Sequence, residues 1–150
     1  MHAAFTRNPY HGISMMVVAK LVRLAGGDQL HTGTAAGKMG GKEKKVKKVV
    51  AINNFLRGKF YDIKTTFPVA SGGIHPGIVS AKMLILGKDI AIQAGSGIHG
   101  HPWGTRAGAM AMRQAIDAFL KGIPFTEYAK TYKELKAAIE YWGERFLSEK

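Results

Sequence analysis

Three short apolar segments, each followed by a turn of small residues and then by a helical pattern, restrict the folds open to this chain. The predicted strands occupy residues 28–31, 65–70 and 89–94. The turns that follow them contain glycine at positions 33, 72, 73, 95 and 97. Strands that alternate with helices run parallel, because each helix returns the chain to the edge where the previous strand began. The sequence therefore predicts an α/β fold with a parallel sheet.

Helical spacing of apolar residues fills the intervals around these strands. The predicted helices occupy residues 12–25, 42–57, 76–86 and 107–121, followed by one last helix that carries on a single stripe Tyr128, Tyr132, Leu135, Ile139 and Trp142. In the second helix the valines and Leu56 are expected to face inward and the lysines outward. Pro68 interrupts the second strand, so only the part from Val69 is expected to be firmly paired.

Length and composition indicate one domain or a piece of one, in a soluble protein. The chain has 150 residues, of which 46% are hydrophobic and 21% charged, and it has no cysteine. The absence of cysteine excludes disulfides and thiolate metal sites. The longest apolar runs are shorter than a membrane span, and the first residues lack the layout of a signal peptide. We therefore expect a cytoplasmic protein with no membrane partner.

The net charge of +12 is compatible with nucleic-acid binding or with an enzyme that uses phosphorylated substrates. Much of the excess lies in residues 42–48, which contain five lysines and no aromatic residue. At the start of a predicted helix, and without interleaved aromatic side chains, this cluster favours a solvated helix face over a nucleic-acid site. No specific nucleic-acid partner is expected, because charge alone argues only for non-specific attraction.

The ends of the three predicted strands concentrate the candidate binding residues. In parallel α/β proteins ligands bind at the carboxyl ends of strands, and in eight-stranded barrels the last two turns commonly bind phosphate. These ends carry His31, Ser71-Gly72-Gly73 and Gly95-Ser96-Gly97, and the glycines leave backbone N–H groups accessible to an anion. Lys38 lies among glycines after the first strand, so we expect a mobile loop that places a positive charge over the anion.

The positions of the histidines and carboxylates in the sequence do not predict a metal site. His31 ends a strand and is interpreted as a phosphate or hydroxyl contact, with a packed core histidine as the alternative. His99 and His101 resemble a metal pair only superficially, since no carboxylate lies near them in sequence. None of the three strand ends carries Asp or Glu. If the chemistry uses a magnesium ion, its oxygen ligands therefore come from outside this chain.

Four motifs follow one another along the chain. They are His31-Thr32-Gly33-Thr34 with Gly37-Lys38-Met39, Pro68-Val69-Ala70-Ser71-Gly72-Gly73-Ile74-His75, Gln93-Ala94-Gly95-Ser96-Gly97, and Gly100-His101-Pro102-Trp103-Gly104. In order and spacing they resemble the large subunit of ribulose-bisphosphate carboxylase/oxygenase (RuBisCO). Residues 1–7 and 113–118 are most similar to its archaeal, form III branch, and the resemblance covers nearly the whole chain.

The resemblance implies a catalytic (β/α)8 TIM barrel, of which this chain would be the carboxyl-terminal portion with strands 6–8. The amino-terminal domain and strands 1–5 would be absent, and with them the ligands of the Mg²⁺ cofactor. The implied activity is carboxylation of ribulose bisphosphate by CO2, with O2 as the competing substrate, and the implied role is archaeal AMP salvage. The missing amino-terminal half and a second large subunit would be partners in a homo-oligomer, and the chain would be inactive alone.

The resemblance also assigns roles to individual residues. Lys38 would be the lysine of loop six, which closes over the substrate and stabilises the charge that develops at the incoming CO2. His31 would contact one phosphate, and Ser71 would bond a substrate hydroxyl. Gly72 would shape the turn. Backbone N–H groups for the other phosphate would come from Gly73, Gly95 and Ser96.

Two other functions stay open at this point. A RuBisCO-like enolase or isomerase would use the same turns on a related sugar phosphate, although such relatives often lack the equivalent of Lys38. A non-catalytic product of a split gene would bind phosphates or nucleic acid through its charge alone.

Overall fold

The computed structural model describes residues 8, 10–33 and 43–143. The helices are α1 (Met15–Leu24), α2 (Glu43–Arg57), α3 (Val79–Leu86), α4 (Ser96–His99), α5 (Gly104–Lys121), α6 (Phe125–Thr131) and α7 (Lys133–Trp142). The strands are β1 (Gln29–Gly33), β2 (Phe67–Ala70) and β3 (Ala91–Ile92), and a 3₁₀ turn at Pro76–Ile78 precedes α3. None of the described helices combines the length and apolar composition needed to cross a lipid bilayer.

The three strands form a parallel sheet in the order β1-β2-β3, which confirms the predicted α/β fold. Leu30 of β1 pairs with Pro68 of β2, and pairing begins one residue earlier, between Gln29 and Phe67. The expectation that only the part from Val69 is paired is therefore wrong. Pro68 has no N–H to donate, but β3 begins only opposite Val69, so no β3 residue faces the missing donor.

Strand β3 contains only Ala91 and Ile92, although the sequence predicts a strand over residues 89–94. The two residues pair with Val69 and Ala70 of β2. Within the described part of the chain no strand pairs with the other edge of β3. A strand extends only where a neighbour offers backbone partners, so β3 stops where β2 stops.

The main hydrophobic core joins α2 and β2 to helices α3, α5, α6 and α7. Its buried members are Val49, Ala70, Ile74, Ile78, Val79, Met83, Leu86, Met112, Ala115, Ala118, Phe125, Tyr128, Ala129 and Leu135. A second, smaller cluster joins α1 to α2 and consists of Ala19, Ile52 and Leu56. As predicted, α2 turns Val49 and Leu56 inward and exposes the lysines of residues 45–48.

Helix α1 has apolar residues on two faces. Val18 and Ala19 are buried, and Ala19 packs against α2. A second set, which we call the α1 stripe, is 39–58% exposed and consists of Ile13, Val17, Leu21 and Leu24. The spacing of apolar residues predicts this helix correctly but does not distinguish the two faces. Val17, Leu21 and Leu24 recur at the spacing of one helix face, and Ile13 precedes Val17 by four residues, just before α1 begins; exposed apolar residues spaced in this way are typical of a contact surface.

Arg23 is the polar centre of the contact between α1 and the connection 58–64 that leads to β2. Its side chain is 1% exposed. The guanidinium donates hydrogen bonds of 2.6–3.3 Å to the backbone carbonyl oxygens of Phe55, Gly58, Ile63 and Lys64. The rings of Phe55 and Phe60 lie 5.2 and 5.3 Å from its Cζ atom. The cation thus satisfies carbonyls at the carboxyl end of α2 and attaches the connection to α1.

The predicted last helix is in fact two helices. Helices α6 and α7 meet at Tyr132, which is extended with φ −113° and ψ 98°. The predicted single stripe is therefore wrong, although Tyr128 and Tyr132 still stack with ring centroids 4.4 Å apart. Neither glycine nor proline marks the break. A tertiary contact holds the start of α7 instead, since Oε1 of Gln114 accepts a 3.0 Å hydrogen bond from the N–H of Leu135.

Candidate functional site

The carboxyl ends of the three strands lie at one edge of the sheet, because the strands are parallel and paired in register. Strand β1 ends with His31, Thr32 and Gly33, and β2 continues directly into Ser71. Nδ1 of His31 lies 3.0 Å from Oγ of Ser71, so the two side chains form a hydrogen bond between neighbouring strands. The two polar residues that the sequence singles out at these strand ends are therefore in contact.

An irregularity in β1 determines which side chains reach solvent. The pairing with β2 shifts by one residue between His31 and Gly33, and within this interval Thr32 is buried while His31 is exposed. His31 is thus not packed in the core, which was the alternative interpretation. Because Nδ1 is engaged by Ser71, Nε2 is the ring nitrogen that can contact a ligand.

The turn after β2 depends on two consecutive glycines. Gly72 and Gly73 have φ angles of 94° and 65°, in the left-handed region that other residues adopt only with strain. A Cβ on Gly73 would meet no atom within 4 Å, so the requirement comes from the backbone conformation and not from space. A turn of this kind leaves backbone N–H groups without bulky neighbours, as an anion site needs.

The turn after β3 packs against the turn after β2. Gly95 precedes α4, so the predicted loop 95–97 is helical from Ser96 onward. A Cβ on Gly97 would meet the carbonyl oxygen of Ile74 and lie 2.6 Å from Cα of His75. Gly97 is therefore a close approach of two backbones, and the turns after β2 and β3 touch each other directly.

Six of the seven predicted site residues thus lie at the end of β1 or on the turns after β2 and β3, at one edge of the sheet. They are His31, Ser71, Gly72, Gly73, Gly95 and Ser96. Lys38 lies outside the described residues, so its place over this edge stays a prediction.

The chemistry of this edge suits an anion that also carries hydroxyl groups. The strand ends offer an imidazole, hydroxyls and backbone N–H groups, and they carry no carboxylate. Within the described ranges no three His, Cys, Asp or Glu side chains come together. These residues do not fit Mg²⁺, which takes oxygen ligands and usually carboxylates.

His99 and His101, considered as a metal pair from the sequence, have other partners. Nδ1 of His99 lies 3.1 Å from Oγ1 of Thr105. His101 is buried; its Nδ1 accepts a 3.0 Å hydrogen bond from the N–H of Trp103, so the protonated Nε2 donates to the carbonyl oxygen of Glu134, also at 3.0 Å. Both ring nitrogens of His101 are therefore used by the backbone, which fixes its neutral tautomer.

Sequence reasoning missed Lys82, a lysine within the apolar helix α3. The side chain is fully buried, and this burial lowers the pKa of Lys82 to about 8. Its presence as the single charged residue among the eight of Val79–Leu86 is the signal that could have identified it.

Three parallel strands that alternate with helices, with glycine-rich turns at the carboxyl edge of the sheet, place the chain in the α/β class of proteins. Residues 1–142 match the family described as "Ribulose bisphosphate carboxylase large chain, catalytic domain". The chain belongs to this family. The family inferred from the four sequence motifs is therefore confirmed.

Individual members of this family resemble the chain both in sequence and in structure. The ribulose bisphosphate carboxylase of Pyrococcus furiosus is 56% identical over 143 residues, which cover 95% of this chain and 33% of that protein. The crystal structure of octameric RuBisCO from Pyrococcus horikoshii matches with a TM-score of 0.88 and 52% identity, over 95% of this chain and 34% of that one. A rubisco-like protein from Alicyclobacillus acidocaldarius matches with a TM-score of 0.82 and 34% identity, over 95% and 35% of the two chains. The chain spans about a third of the length of these relatives.

Proposed function

We propose that this chain supplies the phosphate-binding turns and the closing lysine of an archaeal, form III-like ribulose-bisphosphate carboxylase. The contact between successive strand ends carries the proposal: His31 is bonded to Ser71, and the turn that follows Ser71 packs on Gly97. The reaction would add CO2 to the enediol of ribulose 1,5-bisphosphate and, with water, yield two molecules of 3-phosphoglycerate. We assign this activity to AMP salvage, the role that the resemblance to the archaeal branch implies.

Each residue of the site has a separate task in this proposal. His31, oriented through its Nδ1 by Ser71, contacts one phosphate through Nε2, while the Ser71 hydroxyl contacts a sugar hydroxyl. The other phosphate takes backbone N–H groups from Gly73, Gly95 and Ser96. Lys38 closes over the substrate, and its ammonium group offsets the negative charge that develops on the CO2 oxygens. The chemistry of Mg²⁺ belongs to the rest of the barrel, since the described residues offer it no ligand set.

The partner in this proposal is the amino-terminal portion of the same barrel. Among the described strands, β1 lies at one side of the sheet and pairs only with β2, so its other edge is open. Helix α1 contacts β1, and its α1 stripe is exposed. A strand that pairs with β1 and a helix that packs on the α1 stripe would cover both surfaces at once. We further propose a homo-oligomer, since the Pyrococcus horikoshii protein is octameric.

The test is reconstitution. This chain is mixed with a separately produced amino-terminal portion of the Pyrococcus furiosus carboxylase, and incorporation of labelled CO2 is measured with ribulose bisphosphate and Mg²⁺. We expect activity only in the mixture, and Lys38→Ala should lower kcat by about 100-fold or more. The matched control is Lys48→Ala, which removes an exposed lysine of α2 and should leave the rate unchanged. Full activity of the Lys38→Ala mixture would refute the mechanism.

A rubisco-like enolase is the second candidate, because the Alicyclobacillus rubisco-like protein shares this fold at 34% identity. The presence of Lys38 favours the carboxylase. In the same mixture, enolisation of a sugar phosphate without uptake of CO2 would support the enolase instead. Salt-dependent binding of this chain to unrelated DNA, with no binding of a bisphosphate, would support a non-catalytic product.

A further inference from the structure

An aromatic cluster connects the last helix to both turns of the candidate site. Trp142, the last residue of α7, stacks on His75 with ring centroids 5.5 Å apart and an interplanar angle of 21°. The same indole meets His101 edge-on at 6.1 Å, and His101 in turn meets Trp103 at 5.9 Å. The cluster therefore joins residues that are far apart in sequence.

Trp142 touches the continuation of each turn. On one side, His75 comes two residues after Gly73. On the other side, a Cβ on Gly100 would lie 3.6 Å from Cζ2 of Trp142, and the N–H of Gly100 closes α4 through a 2.9 Å hydrogen bond to Ser96. The indole thus contacts the segment behind the turn after β2 and the helix that begins at the turn after β3.

Backbone contacts near Trp142 add to these ring contacts. Gly97 of α4 lies against Ile74 and His75, so the segments that follow the two turns touch each other. The next residue after Trp142 also contributes, because a Cβ on Gly77 would meet the carbonyl oxygen of Gly143. Together these contacts place Trp142 against His75, which follows the turn after β2, and against Gly100, which follows α4.

We propose that Trp142 is a positioning residue that sets the separation between the backbone N–H groups of Gly73 and those of Gly95 and Ser96. This inference rests on the proposed function, in which both turns bind the same phosphate. Donors from two turns bind an anion well only when their separation is fixed beforehand, since ordering them on binding would weaken the affinity. Trp142 itself does not touch the ligand.

The test measures binding of inorganic phosphate and of ribulose 1,5-bisphosphate to the whole chain by titration calorimetry. Trp142→Leu should raise both dissociation constants about tenfold, whereas Trp142→Phe, which keeps a ring stacked on His75, should raise them less than about threefold. Trp103→Leu is the matched control, because it makes the same change at an exposed tryptophan whose ring meets His101. This variant should bind as the unmodified chain does.

A second variant keeps the inference testable if Trp142→Leu fails to fold. Trp142→Met retains most of the apolar volume but not the flat ring, and we expect it to melt near the unmodified chain while binding phosphate at least about threefold more weakly. Equal phosphate affinity of folded Trp142→Met and the unmodified chain would overturn the positioning role. No binding of phosphate or bisphosphate by the unmodified chain would instead overturn the proposed function of the turns.

Fluorescence gives an independent readout, because the chain has two tryptophans. In the Trp103→Leu variant the emission reports Trp142 alone, stacked on a histidine that follows the binding turn. We expect its intensity to change on addition of phosphate, with the same midpoint as calorimetric binding. Calorimetric binding without any change in this emission would count against the coupling of Trp142 to the turns.

Discussion

Arg23 is the residue on which the packing of α1 depends most. Its buried guanidinium is bonded to backbone carbonyl oxygens of the α2 carboxyl end and the connection 58–64, and no carboxylate pairs with it among the described residues. Arg23→Lys keeps the charge but cannot reach all of these acceptors, because an ammonium is a point donor and the guanidinium is a fork. We expect the free energy of unfolding to fall by about 3 kcal/mol or more, measured by urea denaturation.

Arg113 provides the control for this substitution. It forms an exposed pair with Asp117 one helical turn away, at 2.6 Å. Arg113→Lys should therefore change the free energy of unfolding by less than about 0.5 kcal/mol. Equal effects at the two arginines would mean that the buried carbonyl contacts of Arg23 contribute nothing specific.

The sequence predicts the residues of the candidate site better than Arg23 and Trp142, whose contacts join different elements. His31 and Ser71 could be identified because they stand at strand ends, and parallel strands place their ends together. Arg23 could not, because its acceptors are carbonyl oxygens 32–41 residues further along the chain. Trp142 was predicted as one member of an apolar stripe, whereas its contacts with His75 and Gly100 depend on how α7 crosses the turns.

At the scale of elements, the start of α7 is held by Gln114 of α5. Nε2 of Gln114 donates to the Glu134 carboxylate at 2.9 Å, and its Oε1 accepts from the N–H of Leu135 at 3.0 Å. The hydrogen bond from Gln114 is the main cause that lowers the pKa of Glu134 below its usual 4.5. The stability that this carboxylate contributes is therefore present above about pH 4.5 and is lost as the pH falls through its lower folded-state pKa.

Gln114→Leu removes both hydrogen bonds and leaves the N–H of Leu135 without its partner. At pH 7 we expect a loss of about 1–3 kcal/mol in the free energy of unfolding. The loss should become smaller as the pH falls below 4.5 and the carboxyl group of Glu134 is protonated in both proteins. Thermal unfolding followed by circular dichroism between pH 7 and pH 3 measures this difference.

Glu134→Gln separates the contribution of the Glu134 charge from that of the hydrogen bonds of Gln114. The amide of this variant still accepts a hydrogen bond from Gln114 and leaves the Leu135 bond intact, but it carries no proton to titrate. In the Glu134→Gln background, the loss caused by Gln114→Leu should therefore be independent of pH between about 3 and 5. A loss in Gln114→Leu that is equally large at pH 3 and pH 7 would show that the carboxylate plays no part.

Element boundaries follow from tertiary contacts more than from local pattern. The sequence predicts the strand–helix alternation because the apolar periods change clearly along the chain. It does not predict the break at Tyr132, where no glycine or proline stands and Gln114 holds the next helix. The sequence alone also overestimates the effect of Pro68 on strand pairing. The missing N–H would cost a hydrogen bond only if β3 extended far enough to face Pro68.

For the whole molecule, the open side at α1 and β1 is the surface on which the proposed partner depends. The α1 stripe exposes Leu21 and Leu24 by 54% and 58%, and the same helix buries its other face against α2. If the amino-terminal portion of the barrel packs here, a charge in the stripe should weaken association without disturbing the fold of this chain. A side chain that is already in water loses little when it becomes polar.

Leu21→Glu tests this directly in the reconstituted mixture. We expect its melting temperature to stay within about 2 °C of the unmodified chain, and its dissociation constant for the amino-terminal portion to rise about tenfold or more, since a buried charge would lack a partner. Sedimentation velocity measures the association, and incorporation of labelled CO2 should fall in proportion to the complex formed. Leu84→Glu is the matched control, because Leu84 is 61% exposed and lies on another helix, α3. Unimpaired association of Leu21→Glu, or an equal loss in both variants, would place the partner on a different surface.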